Sequence, residues 1–202
     1  MPDYDETMNV NLLRIAQILS RFIFPLLISG FVAAHSVPAS AAAPRQKIDN
    51  SQLKMSITPR SANQMAAFYE GREFPPPAIA ATREACFFTV GIRNRLDDIL
   101  WHDIKSWRFV TDGKEIQPLS QADWKQTWQQ RGIEQRFQST FRWTLLPDLR
   151  DLRPGEQQGG NISLPRTDKT FSLRASFATG ADKTGKKYTV QFKNLRCHDE
   201  TE

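Results

Sequence analysis

From residue 52 onward, apolar and polar residues alternate in short runs separated by turn residues. "QLKMSITP" (52–59) sets Leu53, Met55 and Ile57 on one face, the signature of a half-buried strand. "REACFFTVGIRNR" (83–95) gives Cys86, Phe88, Val90 and Ile92 one parity and Phe87, Thr89, Gly91 and Arg93 the other. "ILWHDI" (99–104) and "SWRFVTDG" (106–113) read as two strands or one bent strand. "EQRFQSTFRWTLL" (134–146) also alternates, with Phe137, Ser139, Phe141, Trp143 and Leu145 on one side, and reads as a strand. "NISLP" (161–165), "TFSLRASF" (170–177) and "YTVQFKNLRC" (188–197) add three more. In the last of these Tyr188, Val190 and Phe192 keep parity while Leu195 and Cys197 have switched; a bulge near Asn194 reconciles them.

Two stretches break the alternation. In 61–74, Ser61 caps a short helix carrying Met65, Ala66 and Phe68, and Gly71 ends it. In 120–132, Ser120 is a cap with Asp123 three residues on, and Trp124 and Trp128 stand at i and i+4. The three prolines of "FPPPAIA" (74–80) remove ladder donors, so this stretch is expected to be an irregular crossing or an edge. Residues 94–98 and 112–115 read as turns, 147–160 as a long connection, and 178–187 as a Gly- and Lys-rich hairpin loop. The pattern predicts a mainly β fold: an antiparallel β-sandwich of seven or eight strands with one or two short helical inserts. It forms a single domain over 52–199, preceded by a polar tail at 42–51.

The first forty residues follow a different logic. Arg14 and Arg21 precede the apolar run 22–34, and small residues follow, with Ala39-Ser40-Ala41 at the expected cut. This is the order of a secretory signal, 1–41, with a cut after Ala42 nearly as good. The run is 13 residues long and contains Pro25, whereas a spanning helix needs about 20. No stable membrane insertion is therefore expected after cleavage. The segment ahead of Met8 is acidic, which makes Met8 an alternative start. The protein is read as exported, periplasmic or secreted. The mature part holds 25 basic and 19 acidic residues, net +6. That charge suits a protein or an anionic envelope component as partner. Nucleic acid is excluded by compartment and by the lack of a recognition motif.

An exported chain with an even cysteine count favours a disulfide, here Cys86 with Cys197. Buried free thiols and a two-Cys, two-His metal site with His102 and His198 are the alternatives. Zinc motifs bring ligands in close pairs, and only Cys197 and His198 are neighbours.

The order Cys86, then Trp101 or Trp107 on the next strand, then Cys197 late in the chain resembles an immunoglobulin-like sandwich. "LLPDLRDLRPGEQQGGNISLP" (145–165) is similar to the L-x-P-G-E … G-x-I-x-F passage of telokin-like exported bacterial domains. The resemblance implies a Cys pair bridging the sheets with a Trp packed on it. The chain departs from that family in placing Cys197 in the final strand, with Leu195 where a Tyr would stand two residues before it.

Local catalytic motifs are missing: there is no G-x-S-x-G, H-E-x-x-H, P-loop or G-x-G-x-x-G. His102 and Asp103 are strand neighbours facing opposite ways, and Asp97-Asp98 is an ordinary turn. No cofactor or metal is expected. The expected function is a non-enzymatic exported domain that binds a protein or cell-wall component. The alternatives are a small-ligand or carbohydrate module using Trp124 and Trp128, and an enzyme with a dispersed site. The expected contact residues are Trp124, Trp128, Lys125 and Arg131 on the second helix, Phe74, Pro75 and Pro76 in the proline-rich stretch, and Lys183, Lys186 and Lys187 at the hairpin tip.

Overall fold

The alternating runs pair antiparallel into two sheets in the computed structural model, which describes residues 44–198. The first sheet has the order β1 (Gln46–Asp49), β2 (Leu53–Arg60), β3 (Ala85–Asn94), β8 (Gln157–Pro165). The second is built around β9 (Phe171–Thr179). One edge of β9 pairs with β10 (Tyr188–Leu195). Its other edge carries two short strands end to end: β5 (Arg108–Thr111), with Arg108 opposite Arg174, and β4 (Leu100–Asp103), with Leu100 opposite Thr179. A single 3-10 turn, Ile104–Ser106, separates them, and the Asp103 carboxylate accepts the Lys105 N–H at 3.0 Å. Beyond them lie β6 (Lys114–Ile116) against β5 and β7 (Leu149–Leu152) against β4.

The core between the sheets uses the predicted parity. Leu53, Met55, Ile57, Cys86, Phe88, Val90 and Ile92 meet Leu100, Phe109, Leu173, Phe177, Val190 and Phe192. The expected bulge in the last strand is present. The register of β10 against β9 shifts between Phe192 and Leu195, and Asn194 takes φ +54°. Asn tolerates the left-handed region better than most residues, and the extra residue turns Leu195 and Cys197 back into the core. Cys197 then bonds Cys86 across the sandwich, with Cα atoms 5.4 Å apart.

A helical layer covers the opposite face of β3. It comprises α1 (Ala62–Glu70), α2 (Pro76–Arg83), α3 (Gln121–Gln130) and α4 (Gln135–Thr144). The expected caps Ser61 and Ser120 open α1 and α3, the latter paired with Asp123 as expected; Gln64 completes a capping box at Ser61 that was not among the expectations, and Gly71 ends α1. Phe87 on β3 reaches into a second core with Tyr69, Trp124, Trp128 and Phe141.

Several expectations need correction. Within 134–146 the chain forms the helix Gln135–Thr144 and not a strand, because Phe137 and Phe141 satisfy both a period of two and an i,i+4 stripe. As a helix the segment buries both rings in the second core; as a strand it would also have had to bury Trp143, which is 82% exposed. The proline-rich stretch is not an irregular crossing. Pro76 opens α2 at its first position, where the missing N–H has no helical partner to lose. Residues 46–49, expected in a polar tail, pair as β1 against 54–57. The connection 147–160 contains β7 and the start of β8. The described residues thus hold ten strands and four α-helices, more than the seven or eight strands and one or two inserts expected. The expected signal segment 1–41, its expected cut site and the alternative start at Met8 lie outside the described residues.

His102 faces the inter-sheet core. It is fully buried, neither ring nitrogen has a partner among the described residues, and its ring centroid lies 6.3 Å from that of Trp107. Burial, reinforced by the Arg150 charge, pushes its pKa down to about 4, from an ordinary 6.5.

Two predictions follow from this frame. Cys197→Ser is expected to lower the unfolding free energy by about 2–5 kcal/mol. Urea unfolding of the variant, and of the wild type with and without reductant, measures it. Between pH 4 and 6.5 the unfolded chain holds the proton on His102 that the fold excludes. The contribution is intact above pH 6.5 and is lost as pH falls toward 4, up to about 3 kcal/mol. His102→Leu should flatten that part of the stability–pH curve; an unchanged slope in the variant would refute the assignment.

Candidate ligand-binding site

The expected contact residues do not form one surface. Trp124 and Trp128 stack with centroids 5.0 Å apart and are 3% and 2% exposed. The Trp124 Nε1–H donates to Ser163 Oγ on β8 at 2.8 Å, so the pair pins α3 to the sheet and does not stand out as an exposed platform; with Lys125 and Phe141 it lines a cavity of about 280 Å³. Phe74 is buried against Tyr69 and Phe137. Pro75 is half-buried and Pro76 exposed at the start of α2. Lys125 is exposed on α3, and Arg131 is held by Glu84 at 2.6 Å. Lys183, Lys186 and Lys187 are exposed on the β9–β10 loop, with Lys183 Nζ 4.7 Å from the Trp101 ring centroid.

The exposed tryptophan is Trp143, on the last turn of α4 and off the Phe137–Phe141 stripe. It lines a cleft of about 630 Å³ with Gln64, Met65 and Phe68 of α1 and Arg60, Thr89, Gly160 and Asn161 of the first sheet. Outward parity delivers these sheet residues: Arg60 lies opposite Phe87, and Thr89 opposite Asn161, on the face away from the inter-sheet core. Gly160 matters sterically. A Cβ there would collide with the Leu145–Leu146 backbone, and that close seat lets Leu146 N donate to Asn161 O at 2.9 Å.

The cleft floor is held by a hydrogen-bond chain. Arg60 Nε donates to Thr89 Oγ1 at 2.8 Å, and Thr89 Oγ1 donates to Asn161 Oδ1 at 2.9 Å. Beside it Thr144 Oγ1 donates to Phe141 O, which leaves it to accept from the Tyr69 hydroxyl at 2.8 Å. Burial pushes the Tyr69 phenol up to about 12, against the pull of the Thr144 and Asn161 side chains. Tyr69 is therefore a neutral donor at any physiological pH. Among the described residues no Asp or Glu lines the cleft.

Another cavity, of about 300 Å³, is lined by Trp107, Leu146, Asp148, Ile162 and Ser163 among others. Burial raises the Asp148 carboxyl, and the Lys105 charge opposes that shift. Sequence reasoning placed Trp143 inside a strand and missed the cleft. The available signal was the FxxxF spacing, which puts Trp143 off the buried stripe of a helix.

The chain matches no protein-family model and no curated protein. Two solved structures are similar. The yjhA protein of Bacillus subtilis is 9% identical, with TM-score 0.37, over 64% of this chain and 76% of that one. The ycdA protein of Bacillus subtilis subsp. subtilis str. 168 is 10% identical, with TM-score 0.39, over 75% of this chain and 39% of that one. At such distance neither carries an inference about what this chain does.

Trp124→Ala is expected to cost about 3–5 kcal/mol of stability, and Trp143→Ala no more than about 0.5 kcal/mol. Paired urea unfolding curves check the contrast; equal costs would show that Trp143 is structural.

Proposed function

We propose that this protein is an exported, non-enzymatic binding domain that engages a protein or cell-wall component through the Trp143 cleft. The observation that carries the reading is Trp143 itself, 82% exposed at the rim of a cleft whose polar floor is held in place. An apolar ring kept in water has no folding role to explain it, whereas contact surfaces favour Trp at their centre. Export draws support from the signal-like leader and from a Cys86–Cys197 bond, a linkage that persists in oxidising compartments. A periplasmic or secreted location follows from the same reading. An immunoglobulin-like, telokin-like relationship draws on the same bond crossing two antiparallel sheets, with Trp107 in the core between them. The non-enzymatic reading draws on His102, which is buried, unpartnered and turned away from Asp103.

The carbohydrate-module alternative moves with the tryptophan, from Trp124 and Trp128 to Trp143. The test is site-specific photo-crosslinking in the native envelope, with a photoreactive aromatic residue, which keeps a ring in place of the indole, at position 143 and, as control, at position 183. A conjugate formed from 143 alone is the expected result. No conjugate from 143, or the same products from both positions, would overturn the cleft as the contact surface.

A further inference from the structure

The cleft has a bias in its hydrogen-bonding groups that narrows the ligand. Arg60 uses Nε on Thr89, and neither terminal guanidinium nitrogen has a protein partner among the described residues. Gln64 also lines the cleft; its carbonyl oxygen is engaged by the Ser61 N–H at 3.2 Å, and its NH2 group has no partner among the described residues. Asn161 Oδ1 is already accepting from Thr89, and Thr144 Oγ1 from Tyr69. What remains open is an excess of donors, one of them a charged fork. A carboxylate matches that fork with two parallel hydrogen bonds. A second cation lies close by: the Arg72 guanidinium sits 3.6 Å from the ring centroid of Phe68, itself a wall of the cleft. Among the described residues no lining carboxylate offsets this charge.

The apolar part is equally specific. Trp143 offers a broad flat face, and its rim partner Phe68 is half-buried. A pyranose ring presents C–H groups on one face and hydroxyls at its edge. It can lie on an indole and still reach amide and hydroxyl groups below. An extended acidic peptide carries carboxylates but no such flat apolar face.

We propose that the Trp143 cleft takes a carboxylate-bearing saccharide, its ring stacked on Trp143 and its carboxylate paired with the free nitrogens of Arg60. This rests on the cleft being the contact surface proposed above. The fixed Arg60–Thr89–Asn161 chain sets the direction of the fork before the ligand arrives, so little side-chain freedom is lost on binding.

The test is calorimetric titration of the full mature protein with three probes: a galacturonic acid trimer, its methyl ester, and a glutamate hexapeptide. The trimer should bind, with the ester at least tenfold weaker and the peptide weaker still. Arg60→Gln should remove the tenfold preference for the acid over the ester, Arg60→Lys should keep part of it, and Trp143→Ala should abolish binding of both sugars. Urea unfolding of each variant confirms that the fold is kept. Acid and ester binding equally well to the wild type would overturn the carboxylate assignment. Tighter binding of the peptide, or no binding of the trimer at millimolar concentration, would overturn the saccharide. Those results leave the contact surface standing if position 143 still crosslinks. Binding of the trimer that survives Trp143→Ala, together with no conjugate from position 143, would remove the cleft reading as well.

Discussion

The burial of β3 on both faces constrains the other elements more than any single bond. At its start Cys86 and Phe88 enter the core between the sheets, while Ala85 and Phe87 enter the aromatic cluster beneath the helices. A strand in that position must pair on both edges, as β3 does with β2 and β8, because no water reaches its backbone there. It must also be covered on both sides. The second sheet covers one face and the four helices the other, so neither layer is an ornament on a finished sandwich. Trp124 and Phe141 pack on Phe87 for this reason, and Trp128 packs on both of them.

The same constraint explains what could be read from the chain. The inner parities of β2, β3, β9 and β10 were legible because one side of each strand faces the sandwich core and the other does not. The bulge at Asn194 was legible because Leu195 and Cys197 broke the parity of a strand otherwise in register. The Ser61 and Ser120 caps were legible because capping chemistry is local. Residues 134–146 were not. Phe137, Phe141 and Leu145 recur every four residues, and four is a multiple of two, so the spacing fits a strand and a helix alike. Only the presence of Phe87, Trp124 and Trp128 across the gap decides it, and that is tertiary information. The prolines of 74–80 were read for the donors they lack. Their fixed φ, which suits the opening of a helix, was the stronger effect.

The site shows the converse. Trp124 and Trp128 drew attention as a stripe, yet a stripe at i and i+4 is what a helix buries. The informative tryptophan was the one outside any stripe. Its neighbours Arg60, Thr89 and Asn161 come from strands far apart in sequence, on the outward face that the alternation marks only as polar. No local spacing announces a cleft assembled from β2, β3, β8 and two helices.

The disulfide spans 111 residues of chain and ends two residues past the last strand. A chain that emerges N-terminus first, from a ribosome or a translocation pore, therefore cannot close its covalent frame until almost all of the sandwich is out. β9, which pairs with three other strands, must also wait for β10 to cover its second edge. Throughout that interval Cys86 is a thiol on an unfinished strand. The order of residues thus makes intramolecular oxidation a terminal event, since the chain offers Cys86 no other cysteine.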